Sequence, residues 1–253
     1  MTDQVIDQRR VPFEGAINFR DLGGYPTHDG GMTRWGLVYR ADSLHALTAA
    51  DVELFERIGT PTVFDLRRDE EREVRPGPFP TVHVCVLSKL ENGGQPDDRA
   101  ALVEHEHGEQ LLRDLYRGML SHAGPEFGRM FTMMADPTGL PAVFHCHAGK
   151  DRTGIAAALL LEWLGVDRQT VLDDYVLTLT YRPRNVQESS YQRMLDMGMG
   201  PEAASAVLGA PRWAMEETLS DLDELYGGIE AYLTGPAAIS RSTLERLRDI
   251  LVD

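Results

Sequence analysis

The stretch HCHAGKDRTG, residues 145–154, places Cys146, Lys150, Asp151 and Arg152 within seven residues of a chain that has two cysteines, two lysines and 23 arginines. LPAVFHC before it reads as a buried strand, and TGIAAALLLEWLG after it reads as a buried helix ending at Gly165. A helix N-terminus carries free N–H groups and about half a positive charge, so such a junction attracts anions. A loop between Cys146 and Arg152 can curl until its amides converge on one point. Gly149 permits close backbone approach there, and a planar arginine grips two phosphate oxygens at once.

Cys146, at the start of the loop, faces the same centre. Helix dipole, amides, Lys150 and Arg152 all favour thiolate over thiol. A thiolate under a bound phosphoryl group is set for in-line attack, and charge developing on the phosphoryl oxygens meets donors already in place. Arginine and loop supply the positive charge, so the chemistry requires neither metal nor cofactor. Thr153 can donate its hydroxyl to the sulfur when the thiol leaves. A structural cysteine beside a surface charge cluster is the plain alternative. It does not account jointly for the glycine, the arginine and the strand–loop–helix setting.

The elements that must hold this loop are partly legible. INFRDLGGY and GGMTRWGLVYRAD read as extended segments broken by glycine turns. TAADVELFERIG reads as a helix with a Thr48–Asp51 capping box, an apolar face of Val52, Phe55 and Ile58, and an end at Gly59. TVFDL and TVHVCVL (81–87) read as strands, and 88–100 as a mobile loop. Helices are expected up to about Met119, from Pro125 to Met134, and repeatedly through the C-terminal third. Ser242 and Glu245 match a capping box for the last of them. Residues 183–210 read either as a helical lid, given Gly198, Gly200 and Pro201, or as two ordinary surface helices. The alternation of helix and strand predicts an α/β fold with one domain over residues 1–253.

Composition narrows the function. A hydrophobic content of 42% and charged content of 26% are those of an ordinary globular protein. No apolar run has transmembrane length, and MTDQVIDQRRVPFEG lacks the apolar centre of a signal peptide. Stable membrane insertion is not expected. Two cysteines make no disulfide scaffold, so a cytoplasmic location, or export without a recognisable signal, is expected. A formal charge of −15 argues against nucleic acid as a partner. It also means that an anionic substrate must meet a local positive pocket. The oligomeric expectation is a monomer or weak dimer.

At these residues the chain resembles the protein tyrosine phosphatase superfamily. HCHAGKDRTG is most similar to the loops of lipid-active phosphatases and of bacterial tyrosine/serine and phosphoinositide phosphatases. NFRDLGGY (18–25), VYRAD (38–42), VFDLRRDEER (63–72), DYVLT (174–178) and YGGIEAYL (226–233) extend the resemblance over nearly the whole chain. It implies a central, mostly parallel sheet of about five strands wrapped by helices, a phosphocysteine intermediate and no cofactor. It implies Cys146 as nucleophile and Arg152 as phosphate clamp. His147, Ala148, Gly149, Lys150, Asp151, Arg152 and Thr153 form the phosphate loop, and Lys150 is the extra cation of lipid phosphatases.

The general acid is not on a Trp-Pro-Asp loop, because no such motif exists here. Asp151, inside the loop, and Asp65, at the end of TVFDL, are the two candidates. By resemblance Asp151 is preferred, and Asp65 has the alternative role of orienting an amide or arginine. His145 is expected to tune the cysteine from behind. Arg20 and Asp21 read as a structural ion pair near the site, and Arg40, Arg67 and Arg68 as a positive rim. Cys85 reads as a small buried hydrophobe or a redox partner of Cys146. The substrate is a phosphorylated protein (phosphotyrosine, with phosphoserine or phosphothreonine) or a phosphoinositide. A module of the same fold that binds phosphate without turnover, and a sulfur-transfer loop, are the competing readings. The presence of Cys146, Asp151, Arg152 and Thr153 together argues against the first, and the Lys-Asp-Arg-Thr-Gly run against the second.

Overall fold

The run Ala142–His145 is buried at all four positions and becomes the middle strand of a five-stranded sheet. The computed structural model describes residues 8–59, 61–87, 108–182, 184–196 and 198–253. The strands are β1 (Arg20–Asp21), β2 (Val38–Ala41), β3 (Thr62–Asp65), β4 (Thr81–His83) and β5 (Ala142–His145), in the order β1-β2-β5-β3-β4. β1 is antiparallel to β2, and the remaining neighbours are parallel. A parallel sheet covered on both faces favours continuous apolar runs, which is how VYRA and AVFH come to be buried throughout.

Alternate side chains supply two cores. Val38, Phe64, Ala142 and Phe144 join the large helical core, whereas Tyr39, Ala41, Val63 and Val143 join Phe13, Phe19, Leu44 and Phe55 on the other face. The helices are α1 (Ala49–Arg57), α2 (Asp69–Val74), α3 (Gly108–His122), α4 (Gly124–Met134), α5 (Asp151–Trp163), α6 (Arg168–Tyr181), α7 (Arg184–Asp196), α8 (Pro201–Leu208), α9 (Arg212–Tyr226), α10 (Ile229–Thr234) and α11 (Arg241–Leu251). Helix α5 is buried from Thr153 through Leu161, so it passes through the interior rather than along it. The architecture is the expected α/β one, a mostly parallel sheet flanked by helices with a helix-rich C-terminal third.

The Thr48–Asp51 capping box forms as expected. Asp51 N–H donates to Thr48 Oγ1 at 3.2 Å and Thr48 N–H to Asp51 Oδ2 at 3.0 Å. The same carboxylate also takes the N–H groups of Glu14 and Gly15. Two expectations need correction. The last helix starts earlier than its Ser242–Glu245 pattern suggests: Ser240 is extended and its Oγ accepts from Thr243 N–H at 3.1 Å, so Ser242 lies inside the first turn. The strand expected over 81–87 ends at His83, because its partner β3 runs out at Asp65, whose carbonyl takes Val84 N–H at 2.9 Å. The expected loop at 88–100 lies outside the described residues. Residues 183–210 contain α7 and α8, packed on each other through Tyr191, Met194, Leu195, Met199, Ala203, Ala204 and Val207. Among the described residues no helix is long and apolar enough to cross a membrane.

Candidate active site

Ala41, Asp65 and His145 lie side by side at the carboxyl ends of β2, β3 and β5, where open α/β sheets bind ligands. The chain leaves β5 into the loop, and Cys146 is 2% exposed at its floor. The loop's carbonyls are pinned on its outer side. Ser43 N–H donates to His147 O at 3.1 Å. Asn18 Nδ2 donates to Ala148 O at 3.2 Å and to Gly149 O at 3.1 Å, and Arg40 Nη2 reaches Gly149 O at 2.8 Å. In a trans peptide the N–H points opposite to the C=O, so the amides of Ala148, Gly149 and Lys150 turn toward the inside of the loop. Gly149 has φ +66°, and a Cβ there would lie 2.6 Å from Ala41 O. Close backbone approach is therefore a requirement at this position.

Arg152 reaches the same loop from the first turn of α5. Its Nη1 and Nη2 donate to Glu71 Oε2 and Oε1 at 2.5 and 3.0 Å, and Nη1 also contacts Leu66 O at 3.4 Å. Glu71 thus occupies the end of the guanidinium fork. Of the five donors, the Nε–H and the second Nη2–H remain, and these lie along one edge of the planar group, a spacing that suits two phosphoryl oxygens. Burial opposes the Arg152 charge, but the Cys146 sulfur and Glu71 raise its pKa well above the ordinary value. Burial would raise the Glu71 carboxyl, yet Arg152 and the Arg68 N–H bring it down to about 2.

Beneath the loop lies a buried ionic cluster. Asp174 of α6 accepts from Arg20 Nε at 2.9 Å, Arg40 Nη1 at 2.5 Å and Tyr25 Oη at 3.0 Å, and its backbone carbonyl takes Arg20 Nη2 at 2.8 Å. Two guanidiniums against one carboxylate leave a positive charge in excess under the phosphate loop. Burial and the neighbouring Arg20 pull Arg40 down to about 10, so it stays charged at neutral pH.

This corrects two expectations. Arg20 pairs with Asp174 rather than with Asp21, which accepts N–H groups of Gly23 and Gly36 instead. Arg40 and Arg67 are 0% and 2% exposed and form no rim, and of the three arginines only Arg68 is near the surface. The positive field that offsets the net charge of −15 is built from beneath, where salt screens it least.

Asp65 is 1% exposed, with Oδ1 taken by Arg67 N–H and Nε and Oδ2 by Arg67 Nη2 at 2.7 Å. Burial would raise its pKa, but Arg67 and His145 draw it below the usual value. His145 is fully buried, and burial lowers it to about 4 against the pull of Asp65. Its Nδ1 lies 3.2 Å from Cys146 O, so Nδ1–H is the donor, and the neutral ring holds the peptide that follows Cys146.

Asp151 sits at the loop's far end, with Oδ1 accepting from Tyr116 Oη at 2.7 Å and lying 3.1 Å from Lys150 Nζ. Tyr116 in turn meets Tyr175 Oη at 2.7 Å. Lys150 is buried, and its Nζ donates at 2.5 Å to the carbonyls of Val207 and Gly209. Thr153 is fully buried and its Oγ1 lacks a hydrogen-bond partner, so the expected bond to sulfur is not formed in this state. His147 is exposed. Neither cysteine is in a disulfide; Cys146 is buried and Cys85 half-buried.

Sequence reasoning did not identify Glu71, Asn18, Ser43, Asp174, Tyr116 or Tyr175 as parts of the site. Five of them lie in or beside stretches already singled out: Asn18 in NFRDLGGY, Ser43 after VYRAD, Glu71 in VFDLRRDEER, and Asp174 with Tyr175 in DYVLT. Tyr116 carried no local signal, since it comes from the middle of an amphipathic helix.

The chain is similar to known phosphatases. The chain is 29% identical over 282 residues to the triple specificity protein phosphatase PtpB of Mycobacterium tuberculosis, covering 96% of this chain and 99% of that protein. It is 30% identical over 141 residues to a tyrosine-protein phosphatase of Nostoc commune, covering 54% of this chain and 48% of that protein. A solved structure of P. aeruginosa TpbA in complex with phosphotyrosine covers 74% of this chain and 90% of that one, at 18% identity and a TM-score of 0.29, which is too distant to carry the assignment. The tyrosine phosphatase family model matches residues 11–253, and the chain belongs to that family.

Proposed function

We propose that this phosphatase hydrolyses phosphotyrosine through a phosphocysteine intermediate, with phosphoserine, phosphothreonine and phosphoinositides as further substrates. The observation that carries the reading is the loop itself. Its carbonyls are pinned outward by Asn18, Ser43 and Arg40, its amides turn inward over Cys146, and the side of Arg152 left by Glu71 completes the cradle. The Cys146 thiolate attacks phosphorus as the ester oxygen leaves with a proton. Water then attacks the phosphocysteine, and Thr153 Oγ1, buried without a partner, donates to the departing sulfur.

Asp151 is the better proton donor of the two carboxylates. Tyr116 and Lys150 both engage its Oδ1, leaving Oδ2 for the leaving group. Asp65 has both oxygens occupied by Arg67, and its lowered pKa keeps it ionised, which suits a positioning role. Asp151→Asn is expected to slow a poor leaving group such as phenyl phosphate by about 100-fold and p-nitrophenyl phosphate far less, because general acid catalysis matters most where the leaving oxygen is basic. Equal slowing of both would remove Asp151 from this role.

Lys150 is the cation assigned to multiply charged substrates, and α7 with α8 is the lid of the same site. In the present state Lys150 Nζ is held by the carbonyls that end α8. Its transfer to substrate therefore requires α8 to shift. Vanadate is expected to change amide exchange across α7 and α8, and identical exchange with and without vanadate would exclude the lid.

A further inference from the structure

We propose that His45, Arg75 and His147 form a second anion subsite, which takes a phosphate carried on the same small polyol ring as the scissile one. This inference rests on the phosphatase reading and names what selects its substrate.

The three side chains are exposed, but their backbones are tied to one buried frame. Arg67, locked on Asp65, uses a single nitrogen, Nη1, to donate to Ser43 Oγ at 3.1 Å and to Arg75 O at 2.8 Å. That nitrogen joins the turn after β2 to the end of α2. Ser43 N–H donates to His147 O at 3.1 Å, which fixes the same turn to the phosphate loop. Ser43 Oγ also lies 2.9 Å from His45 Nδ1. With Oγ accepting from Arg67, its own proton can go to Nδ1, and in that tautomer the imidazole carries its proton on Nε2 as a donor.

Charge agrees with geometry. Burial, then Arg75 and Arg67, lowers the pKa of His45; burial lowers that of His147, with Glu71 opposing and Arg152, Arg75 and His45 adding to the shift, so the three groups share one patch in which Arg75 is the cation and the imidazoles are neutral. The nearby carboxylates are engaged elsewhere: Asp65 with Arg67 and Arg72, Asp69 with Arg72 and His83, Glu71 with Arg152 and Arg68. Among the described residues Arg75 has no carboxylate partner. A guanidinium without a carboxylate partner, flanked by two neutral imidazoles, recruits an anion from outside.

The spacing selects the ligand. His147 directly follows the nucleophile, so the second anion must lie close to the first. Neighbouring phosphates on a polyol ring meet that demand, whereas the second phosphate of a peptide is separated by at least a residue of backbone, about 3.5 Å, plus a side chain. The ring's source, a lipid headgroup or a free polyol phosphate, is open to direct test.

The test compares kcat/KM for a vicinal inositol bisphosphate and the matching monophosphate, each as free headgroup and with short acyl chains. Wild type, Arg75→Ala and His45→Ala are measured, and alanine at 75 keeps the backbone carbonyl that Arg67 needs. The bisphosphate-to-monophosphate ratio is expected to fall about 10-fold in Arg75→Ala and less in His45→Ala, as for loss of one charge-assisted hydrogen bond. A fall in both arms supports the subsite with the ring as the element read. A fall only with acyl chains supports it with the lipid as the source. A ratio equal to wild type in both variants overturns the subsite and leaves the phosphatase reading intact. A wild type that hydrolyses neither these nor p-nitrophenyl phosphate overturns the underlying reading instead.

Discussion

Cys146→Ser is expected to reduce phosphate release from p-nitrophenyl phosphate by more than about 1,000-fold while leaving vanadate binding in place. The sulfur sits at the floor of the loop, 2% exposed, with the Arg152 charge stabilised by it and by Glu71. A hydroxyl in the same place is not ionised near neutral pH and is a poor nucleophile toward phosphorus. The binding donors do not depend on sulfur: the inward amides are set by Asn18, Ser43 and Arg40, and Arg152 by Glu71. Activity and binding should therefore separate. Steady-state rates with chelator present, acid-quench trapping of phosphoenzyme and vanadate titration make the measurement. A serine variant retaining a tenth of the activity, or a wild type that never yields a trapped phosphoenzyme, would sink the covalent cysteine mechanism.

The fold and the centre of the site were legible because their signals are local. Cys146, Gly149 and Arg152 fall within seven residues, and the flanking strand and helix declare themselves by apolar runs. Thr48 and Asp51 are three residues apart, and their bond follows from that spacing. The parts that were missed are joined across the chain. Glu71 meets Arg152 from 81 residues away, Tyr116 meets Asp151 from 35, and Arg20 and Arg40 find Asp174 from 154 and 134. Periodicity shows that a residue is polar within an apolar run, not which distant charge it will face. Arg40 shows the consequence. Within VYRAD it reads as surface charge, yet the sheet buries it, and burial turns a solvated cation into a fixed source of field under the loop. The last helix was misread for a different reason: Ser240 and Ser242 are both good N-caps, and backbone geometry alone decides between them.

Asp174→Ala should destabilise the fold strongly while leaving the reacting groups untouched. Among the described residues this carboxylate is the one acid paired with Arg20 and Arg40, and all three side chains are essentially unexposed. Removing it leaves two guanidiniums in the interior without a counter-charge, and breaking such a pair costs about 3–5 kcal/mol. Total stabilities are roughly 5–15 kcal/mol, so the loss is a large share, and for a chain of this size it corresponds to a fall in Tm of roughly 6–20 °C. Burial would raise the Asp174 pKa, but Arg20 and Arg40 depress it far below the unfolded value. The stability it contributes is thus fully present above the ordinary carboxylate range and is lost only as pH falls through its lowered folded pKa. Wild type should therefore gain on Asp174→Ala at neutral pH, and the gap should narrow in strong acid. Activity should fall as well, since Arg40 braces Gly149 O with the same guanidinium that Asp174 holds. Thermal melts at neutral pH, with acid titration of both proteins, make the measurement. A variant melting within about 2 °C of wild type would show that the two arginines find other compensation, and that the cluster does not set the loop.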